Sequence, residues 1–234
     1  MQTIQTIPLI NLALSFIPAA VVVWIIYVWS LGSRTAIYSI FRMLVQLLLI
    51  GYVLTYIFES NESMVVLLVL AVMLLVSSGI ALRPLRQSNT KLYLHVLLSI
   101  SLGGVSTLAL ITGAVLDLNP WFAPHMMIPL AGMIFANSMN TVSVAAERFE
   151  SETGNQVEYI KARKLAMQAA MIPVINSMFA VGLVSLPGMM TGQILSGVSP
   201  LIAVRYQIMV MCMIFGSSGI SVACYLWLMR NAGK

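Results

Sequence analysis

The residues best suited to chemistry are two carboxamides inside an otherwise apolar stretch. Asn137 and Asn140 lie about one turn apart, and with Met133 they share one face of a helix. A carboxamide among apolar side chains is costly unless it finds a hydrogen-bonding partner or water. Two interpretations follow: the amides join helices together, or they line a path for a polar solute.

Other polar side chains lie in two further apolar stretches. Arg42 and Gln46 share one helical face. Arg42 either extends its charge to the nearby membrane surface or contacts a solute. Asn176 and Ser185 are polar positions of a later stretch. All four are candidate path residues, because polar groups in membrane helices usually face the bundle interior.

Methionine is used heavily, with 17 residues. Met133, Met189 and Met190 lie close in sequence to the polar positions or to the helix break described next, and they join the candidate path. A thioether is a soft metal ligand and also an adaptable packing group. We interpret most methionines as packing and predict no metal site.

The stretch Val181–Gln193 interrupts the helical pattern. Pro187 lacks an amide hydrogen, so a helix through it loses a backbone bond. Gly188 and Gly192 predict close approach of backbones. The stretch either ends a helix near the membrane surface or forms a gate or hinge, and its position directly after the hydrophilic segment favours the gate.

No catalytic motif is present. The sequence has no phosphate-binding G-x-x-x-x-G-K-[ST] loop, no C-x-x-C or H-E-x-x-H motif and no paired-carboxylate site. We therefore predict neither an enzyme nor a bound cofactor, and no nucleic-acid partner. Cys212 and Cys224 are about 18 Å apart on one helix, too far to bridge, and are expected to be buried thiols.

Composition determines the elements that position these residues. Of the 234 residues, 60% are hydrophobic and 8% charged, against roughly 25% charged in soluble domains. With about 20 residues per crossing, this predicts an all-α polytopic membrane bundle, a single domain over residues 1–234. Seven spans are predicted, the first with a kink at Pro18: Ile7–Trp29, Ile37–Phe58, Met64–Leu82, Leu92–Leu116, Met126–Ala146, Ile172–Met190 and Tyr206–Met229.

Basic residues predict the topology. If seven helices alternate, ten of the 12 Lys and Arg residues fall on one side: Arg34, Arg83, Arg86, Lys91, Arg148, Lys161, Arg163, Lys164, Arg230 and Lys234. The positive-inside rule then places the N-terminus outside and the C-terminus in the cytoplasm. Glu147–Ala170 is the one substantial hydrophilic segment, and its mixed charges suit either docking onto a soluble partner or a solvated connector.

Three blocks carry a family resemblance: Arg42–Leu54, Ile128–Asn140, and Val181–Gln193 extended through Gly197, Pro200, Arg205, Tyr206 and Gln207. The chain resembles the FetB family, permease subunits of an iron-linked ATP-binding-cassette exporter, and is similar to plant aluminium-tolerance half-transporters. The resemblance covers nearly the whole chain.

The resemblance implies a cytoplasmic FetA-like ATPase, a bacterial inner or plasma membrane location, and export of iron or a related metal or chelate. We expect a homodimer of this chain with two ATPase copies. Members of the family carry a Leu-Gly-Ala-Ser/Thr-Pro element in the cytoplasmic segment, which this chain lacks. The ATPase contact is therefore assigned to other residues: Arg148, Tyr159, Lys161, Arg163 and Lys164.

Two other functions are compatible with a polytopic bundle. A secondary transporter needs no ATP but usually places an acidic residue near the midplane, and none of the seven Asp and Glu residues lies inside a predicted span. A non-transporting membrane scaffold would use Asn137 and Asn140 for stability alone.

Overall fold

A computed structural model describes residues 7–59, 62–85 and 89–231, and within these ranges the chain is helical and has no strand. Arg86 and Lys234, used above for topology, lie outside the described residues. The α-helices are α1 Leu9–Leu14, α2 Phe16–Val28, α3 Ser33–Glu59, α4 Ser63–Ala81, α5 Thr90–Ile100, α6 Ser106–Leu110, α7 Pro124–Gly154, α8 Tyr159–Ala180, α9 Gly188–Leu195 and α10 Pro200–Leu228.

Six helical stretches among the described residues are long and apolar enough to cross a membrane: Leu9–Val28, Ser33–Thr55, Ser63–Ala81, Thr90–Val115, Pro124–Gly154 and Pro200–Leu228. They match six of the seven predicted spans, so the polytopic helical class is confirmed. The remaining span, Ile172–Met190, is not one helix. Its first part belongs to α8, which begins at Tyr159 and continues through Pro173 to Ala180. The count of seven and the orientation of the termini stay predictions.

By its contacts the chain divides into two compact units, Met1–Asn61 and Glu62–Lys234. In the first unit, α2 contacts α3, and α1 is separated from α2 at Ser15. Pro18 accounts for this break, because it has no N–H and its ring clashes with the carbonyl of Leu14. The kink expected near Pro18 is therefore present.

The second unit is built around α7, which packs against α4, α8 and α10. Helix α8 buries every fourth residue on one face: Ala162, Ala166, Ala170 and Val174. Small side chains at this spacing let neighbouring helices approach closely, the usual basis of helix packing in membranes.

Helices α5 and α6 form one long helix interrupted by π-helical turns at Ser101–Val105 and Ile111–Val115. At Gly103 this helix lies against α10. A Cβ atom built there would be 2.2 Å from Ser221 Oγ and 2.8 Å from the Ser217 carbonyl oxygen. Only glycine fits such a contact, so the two backbones nearly touch.

The cysteines depart from expectation. Cys212 is exposed and Cys224 is partly exposed. Both lie on α10, a helix apolar enough to span a membrane. Thiols on the outer face of such a helix can meet lipid at little cost, so the prediction of buried thiols was wrong.

Candidate functional site

A small cavity, lined by both polar and apolar side chains, lies between α7 and α8. Its volume is about 190 Å³, and it is lined by Asn137, Asn140, Thr141 and Val144 from α7 and by Ala170, Pro173, Val174 and Ser177 from α8. The structure thus places both predicted amides on one cavity wall and a hydroxyl opposite them. The sequence patterns identified the α7 wall but did not pair it with Ser177.

The hydrogen bonds of the two amides help to distinguish a role in joining helices from a role in a solute path. The Nδ2 atom of Asn137 donates to the Met133 carbonyl at 2.8 Å, within α7. Thr141 Oγ1 donates to the Asn137 carbonyl at 2.9 Å, also within α7. Asn140 is exposed and has no hydrogen-bond partner among the described residues. Across the described part of the chain, neither amide links two helices.

Residue size explains why the cavity exists. Ala170 and Ser177 are too small to fill the space between α7 and α8, and both line it. Pro173 also lines it and cannot donate a hydrogen bond to the Ala169 carbonyl. A proline inside a membrane helix is tolerated where neighbours or water satisfy the freed carbonyl.

The other predicted path residues do not line this cavity. Asn176 is exposed on α8 beside Ser177, Ser185 is exposed after the end of α8, and Met189 and Met190 are half-buried on α9. Met133 is connected to the cavity only through its backbone carbonyl, which accepts the hydrogen bond from Asn137.

Arg42 and Gln46 belong to the N-terminal unit, where both lie on α3. They are four residues apart and so share one helical face, as the sequence predicts. Their role in a path stays a prediction.

The expected hinge is a tight turn over residues 181–187. It begins where Gly182 takes a positive φ of 82°, a conformation that favours glycine. The Gly182 N–H donates to the Ser185 carbonyl at 2.9 Å, which closes the turn. Pro187 immediately precedes α9 and Gly188 is its first residue. The break therefore starts six residues before the proline that drew attention to it.

Among the described residues, no other backbone lies close to Gly188 or Gly192. A Cβ atom built at either position meets nothing within 4 Å. The turn is also exposed, with Leu183 at 91% and Val184 at 84% of their full accessibility. Because α9 presents these two glycines to the outside of the described bundle, the close approach of another backbone there stays a prediction.

Tyr159 fastens the start of α8 to two other helices. Its hydroxyl donates to the Leu226 carbonyl of α10 at 2.7 Å. Its ring lies edge-on to Phe149 of α7, with 6.0 Å between centroids. The Arg163 guanidinium carbon lies 5.7 Å from the centre of the same ring. Tyr159 thus holds the start of α8 against both α7 and α10.

The basic residues of the hydrophilic segment are exposed. Arg148 forms an ion pair with Glu152 at 2.6 Å, one turn along α7. Lys161, Arg163 and Lys164 are exposed. Arg163 and Lys164 also line a groove between α8 and α10, with a volume of about 510 Å³. Glu147–Ala170 forms a helical hairpin, which consists of the end of α7, a turn at 155–158 and the start of α8.

A buried set of small polar residues was missed from sequence. Ser217, Ser218 and Ser221 of α10 are fully buried, and Gly103 lies directly against Ser221. Serines four residues apart are the small-residue spacing that permits close helix contact. That spacing in Ser217–Ser221 was the available signal.

Comparisons with known proteins agree with the membrane architecture. A family model described as "Uncharacterised protein family (UPF0014)" matches residues 9–232. The "Probable iron export permease protein FetB" of Escherichia coli (strain K12) is 33% identical over 237 residues, covering 92% of this chain and 89% of that protein. No solved structure matches the chain.

Two further relatives widen the range of organisms. "UPF0014 membrane protein slr1647" of Synechocystis is 36% identical over 197 residues, covering 77% of this chain and 75% of that protein. "Protein ALUMINUM SENSITIVE 3" of Arabidopsis thaliana is 34% identical over 200 residues, covering 79% of this chain and 72% of that protein.

Proposed function

Because the chain belongs to the UPF0014 family of membrane proteins, we propose that it is the permease subunit of an ATP-binding-cassette exporter, powered by a separate FetA-like ATPase. Family membership confirms the resemblance found in the sequence, and the chain is a multi-pass protein of the cell membrane. The name of the Escherichia coli relative, a probable iron export permease, suggests the cargo class.

The cavity between α7 and α8 is the observation that carries a transport role. Asn137 lies thirteen residues after Pro124, the first residue of the 31-residue α7, which corresponds to about 20 Å along the helix axis. Measured from a bilayer surface at Pro124, that depth lies inside an apolar core about 30 Å thick. Polar side chains at such a depth, without partners on other helices of this chain, suit a solute path better than helix–helix attachment.

The geometry of α8 supports a seventh crossing. Its 22 residues span about 33 Å in all, and the sixteen uncharged residues after Lys164 span about 24 Å of an apolar core about 30 Å thick. The hydrogen bond from Tyr159 to Leu226 sets the start of α8 beside the end of α10. The C-terminal end of α10 then lies on the same side as the α7–α8 hairpin, the side that charge counting assigns to the cytoplasm.

A second copy of the chain completes the path in this proposal. Asn140, Asn176 and Ser177 are all exposed on helices expected to lie in the membrane. A carboxamide that faces lipid tails is costly, because nothing there can accept its hydrogen bonds. A homodimer that joins these faces would shield them and enclose the cavity.

The ATPase would act through the α7–α8 hairpin. Arg148 and Lys161 present charge at its surface, while Tyr159 ties the hairpin to α10. A movement imposed there passes along α8 to the turn at 181–187, which serves as the outer gate. ATP binding biases the bundle between inward-open and outward-open states only if the ATPase contacts differ between them.

The polar groups available limit what form of metal is carried. A neutral amide oxygen brings no charge to balance a bare hard cation such as ferric iron, and a thioether is a soft ligand that suits such a cation poorly. Among the described residues, no three His, Cys, Asp or Glu side chains lie together as a metal site would require. The cargo is therefore a metal chelate, or a metal that binds weakly and briefly.

An ATP-independent secondary transporter is the main alternative. In the six candidate spans, the acidic residues of the described chain lie only towards the C-terminal end of α7: Glu147, Glu150 and Glu152. Proton or sodium coupling usually requires such a residue near the midplane. Their placement counts against that alternative.

Reconstitution with a candidate FetA-like ATPase tests the proposal. We expect the two proteins to co-purify, and vesicles that contain both to show ATP-dependent metal flux. Absence of association together with absence of flux would overturn the proposal. Flux that persists without ATP and follows a proton gradient would favour the secondary transporter.

Replacing Asn137 and Asn140 with Ala separates a path from a structural role. Removal of two polar contacts, each contributing about 1 kcal/mol, should slow flux about tenfold or more. The melting temperature should be nearly unchanged, since neither amide links two helices of this chain. Asn11→Ala is the internal comparison, because Asn11 is an exposed carboxamide on α1 that does not line the cavity.

A further inference from the structure

The groove between α8 and α10 combines an apolar floor with two cations. Its volume is about 510 Å³, and its lining comes from the first turns of α8 and the last turns of α10: Ile160, Arg163, Lys164, Met167, Gln168, Ala223, Leu226 and Trp227. No acidic side chain is among the lining residues. The groove thus favours an anion joined to apolar material.

The groove lies where the charged and apolar parts of both helices meet. Lys164 is the last charged residue of α8, and the sixteen residues that follow to Ala180 carry no charge. Between Arg205 and the end of α10 at Leu228 there is also no charged residue. Arg163 and Lys164 therefore mark the height of the lipid headgroups.

Trp227 gives independent support for that height. It lines the groove and is 64% exposed, although it is a large aromatic side chain. Tryptophan is enriched where membrane meets water, because its ring is apolar and its indole N–H is polar. A groove lined by this residue opens at the level of the interface.

One of the two cations, Arg163, is held in position. Arg163 lies over the Tyr159 ring, 5.7 Å from its centre, and Tyr159 is itself bonded to the Leu226 carbonyl. Leu226 is fully buried and forms part of the groove wall. The guanidinium is thus tied to the same structure that shapes the floor, which reduces the entropy lost on binding.

We propose that this groove binds one anionic phospholipid. Arg163 and Lys164 receive the headgroup phosphate, and the acyl chains follow the apolar wall along Met167, Ala223 and Trp227. Basic pockets between membrane helices on the cytoplasmic side are suited to anionic lipid headgroups. A bound lipid would fasten the ATPase-facing end of α8 to α10.

A lipid fits this groove better than a segment of the ATPase does. The floor continues along the apolar parts of α8 and α10, into the depth of the bilayer, where acyl chains lie and soluble proteins do not. Arg163 and Lys164 are thereby assigned to lipid, which leaves Arg148 and Lys161 for the ATPase. The proposal requires only a membrane location, so it can fail while the transport proposal stands, and the reverse.

Titration of the purified full chain with phospholipid tests the proposal. Dioleoyl-phosphatidylglycerol and dioleoyl-phosphatidylcholine share acyl chains and differ in net charge, and native mass spectrometry counts the lipids retained. We expect one tightly retained phosphatidylglycerol and weaker retention of phosphatidylcholine. Equal retention of the two lipids overturns the proposal.

A charge-matched pair of variants locates the site. Arg163→Gln with Lys164→Gln should weaken phosphatidylglycerol binding about 30-fold, since each cation near an anionic lipid contributes about fivefold. Arg83→Gln with Lys91→Gln removes two exposed cations elsewhere in the same unit and should change little. Equal loss in both pairs would show nonspecific attraction and overturn the assignment.

Three further measurements keep the test decisive if the first pair folds poorly. Ala223→Phe fills the groove and keeps both cations, so it should also weaken binding, whereas unchanged binding overturns the proposal. Glycerol phosphate, which has no acyl chains, should not displace the lipid, and displacement would assign the site to free phosphate. If the double variant loses ATPase association but retains lipid, the groove belongs to the ATPase.

Discussion

Two glycine-containing stretches of the C-terminal unit differ sharply in their surroundings. Gly103 and Gly104 lie in a π-helical turn, where a Cβ atom would come within 3.0 Å of Ser221 or of the Phe135 ring. Gly182 lies in the turn at 181–187 and Gly188 and Gly192 follow it, and a Cβ atom at these positions meets nothing within 4 Å. The first stretch requires glycine for space, whereas in the second only Gly182 requires it, for its backbone conformation.

This difference indicates where the bundle is rigid and where its backbone can move. A contact without free volume fixes the helix spanning 90–115 against α10, because any shift must displace backbone atoms. Most residues of the turn at 181–187 are exposed, so the turn can change conformation without repacking a core. Substitutions that add a single methyl group test the contrast directly.

Gly103→Ala should have the largest effect. The new Cβ would lie 2.2 Å from Ser221 Oγ and 2.7 Å from the Ser221 nitrogen, so the helices must separate. We expect a loss of about 3 kcal/mol in the free energy of unfolding. Denaturation with sodium dodecyl sulfate, followed by circular dichroism, measures this loss.

Gly113→Ala is the matched control for that experiment. Gly113 lies in the second π-helical turn, Ile111–Val115, and has nothing within 4 Å of a built Cβ atom. The same substitution there should leave stability within about 0.5 kcal/mol of the parent. Similar losses at Gly103 and Gly113 would mean that π-helical backbone, and not helix contact, makes Gly103 sensitive.

Gly104→Ala should have an intermediate effect. Its Cβ would meet the Phe135 ring at 2.9 Å, a side chain and not backbone. Phe135 is buried, so the ring can yield only by disturbing its neighbours, and we expect a loss of about 2 kcal/mol. Combining Gly104→Ala with Phe135→Leu should recover part of it, and no recovery would contradict this contact.

Gly182→Ala should affect transport more than stability. Its φ of 82° costs about 1 kcal/mol for a residue with a side chain. Because the turn is the proposed gate, strain there should change the balance of open and closed states and hence the flux. Parallel measurement of the melting temperature and of ATP-dependent flux in vesicles separates the two effects, and unchanged flux would remove the turn from the gating mechanism.

Gly192→Ala should have the smallest effect and the opposite sign. Gly192 is exposed inside α9, where alanine favours helix by up to about 1 kcal/mol over glycine. We expect a slightly higher melting temperature by differential scanning fluorimetry. A clear loss of stability would indicate that a second copy of the chain packs against this glycine.

The hydropathy of the sequence predicted most of the helices, because a long apolar run has few alternatives to forming a membrane helix. It could not locate the π-helical turns or the contact of Gly103 with α10, since both depend on the fit of two distant segments. The predicted span Ile172–Met190 has Pro173 at its start and Pro187 near its end. In the structure, α8 continues through Pro173 and ends before Gly182. The positive φ that Gly182 permits, and neither of the two prolines, determines where α8 ends.

The candidate site was half visible in the sequence. The spacing of Asn137 and Asn140 predicted one cavity wall, because helical periodicity is a local property. The opposite wall, with Pro173 and Ser177, depended on the register of α8 against α7. From the sequence, Tyr159 was one residue of the hydrophilic segment that could contact the ATPase. Its hydrogen bond to Leu226 shows instead that it holds the start of α8 against α10.

The hydrogen bond between Tyr159 and Leu226 also sets an order for biosynthesis. Its partners are 67 residues apart in the chain, so it cannot form until α10 has left the ribosome and entered the membrane. Until then the hairpin of α7 and α8 lacks one of its attachments. The surface assigned to the ATPase is therefore completed last, and a chain cut short before α10 would offer its partner an unfinished docking site.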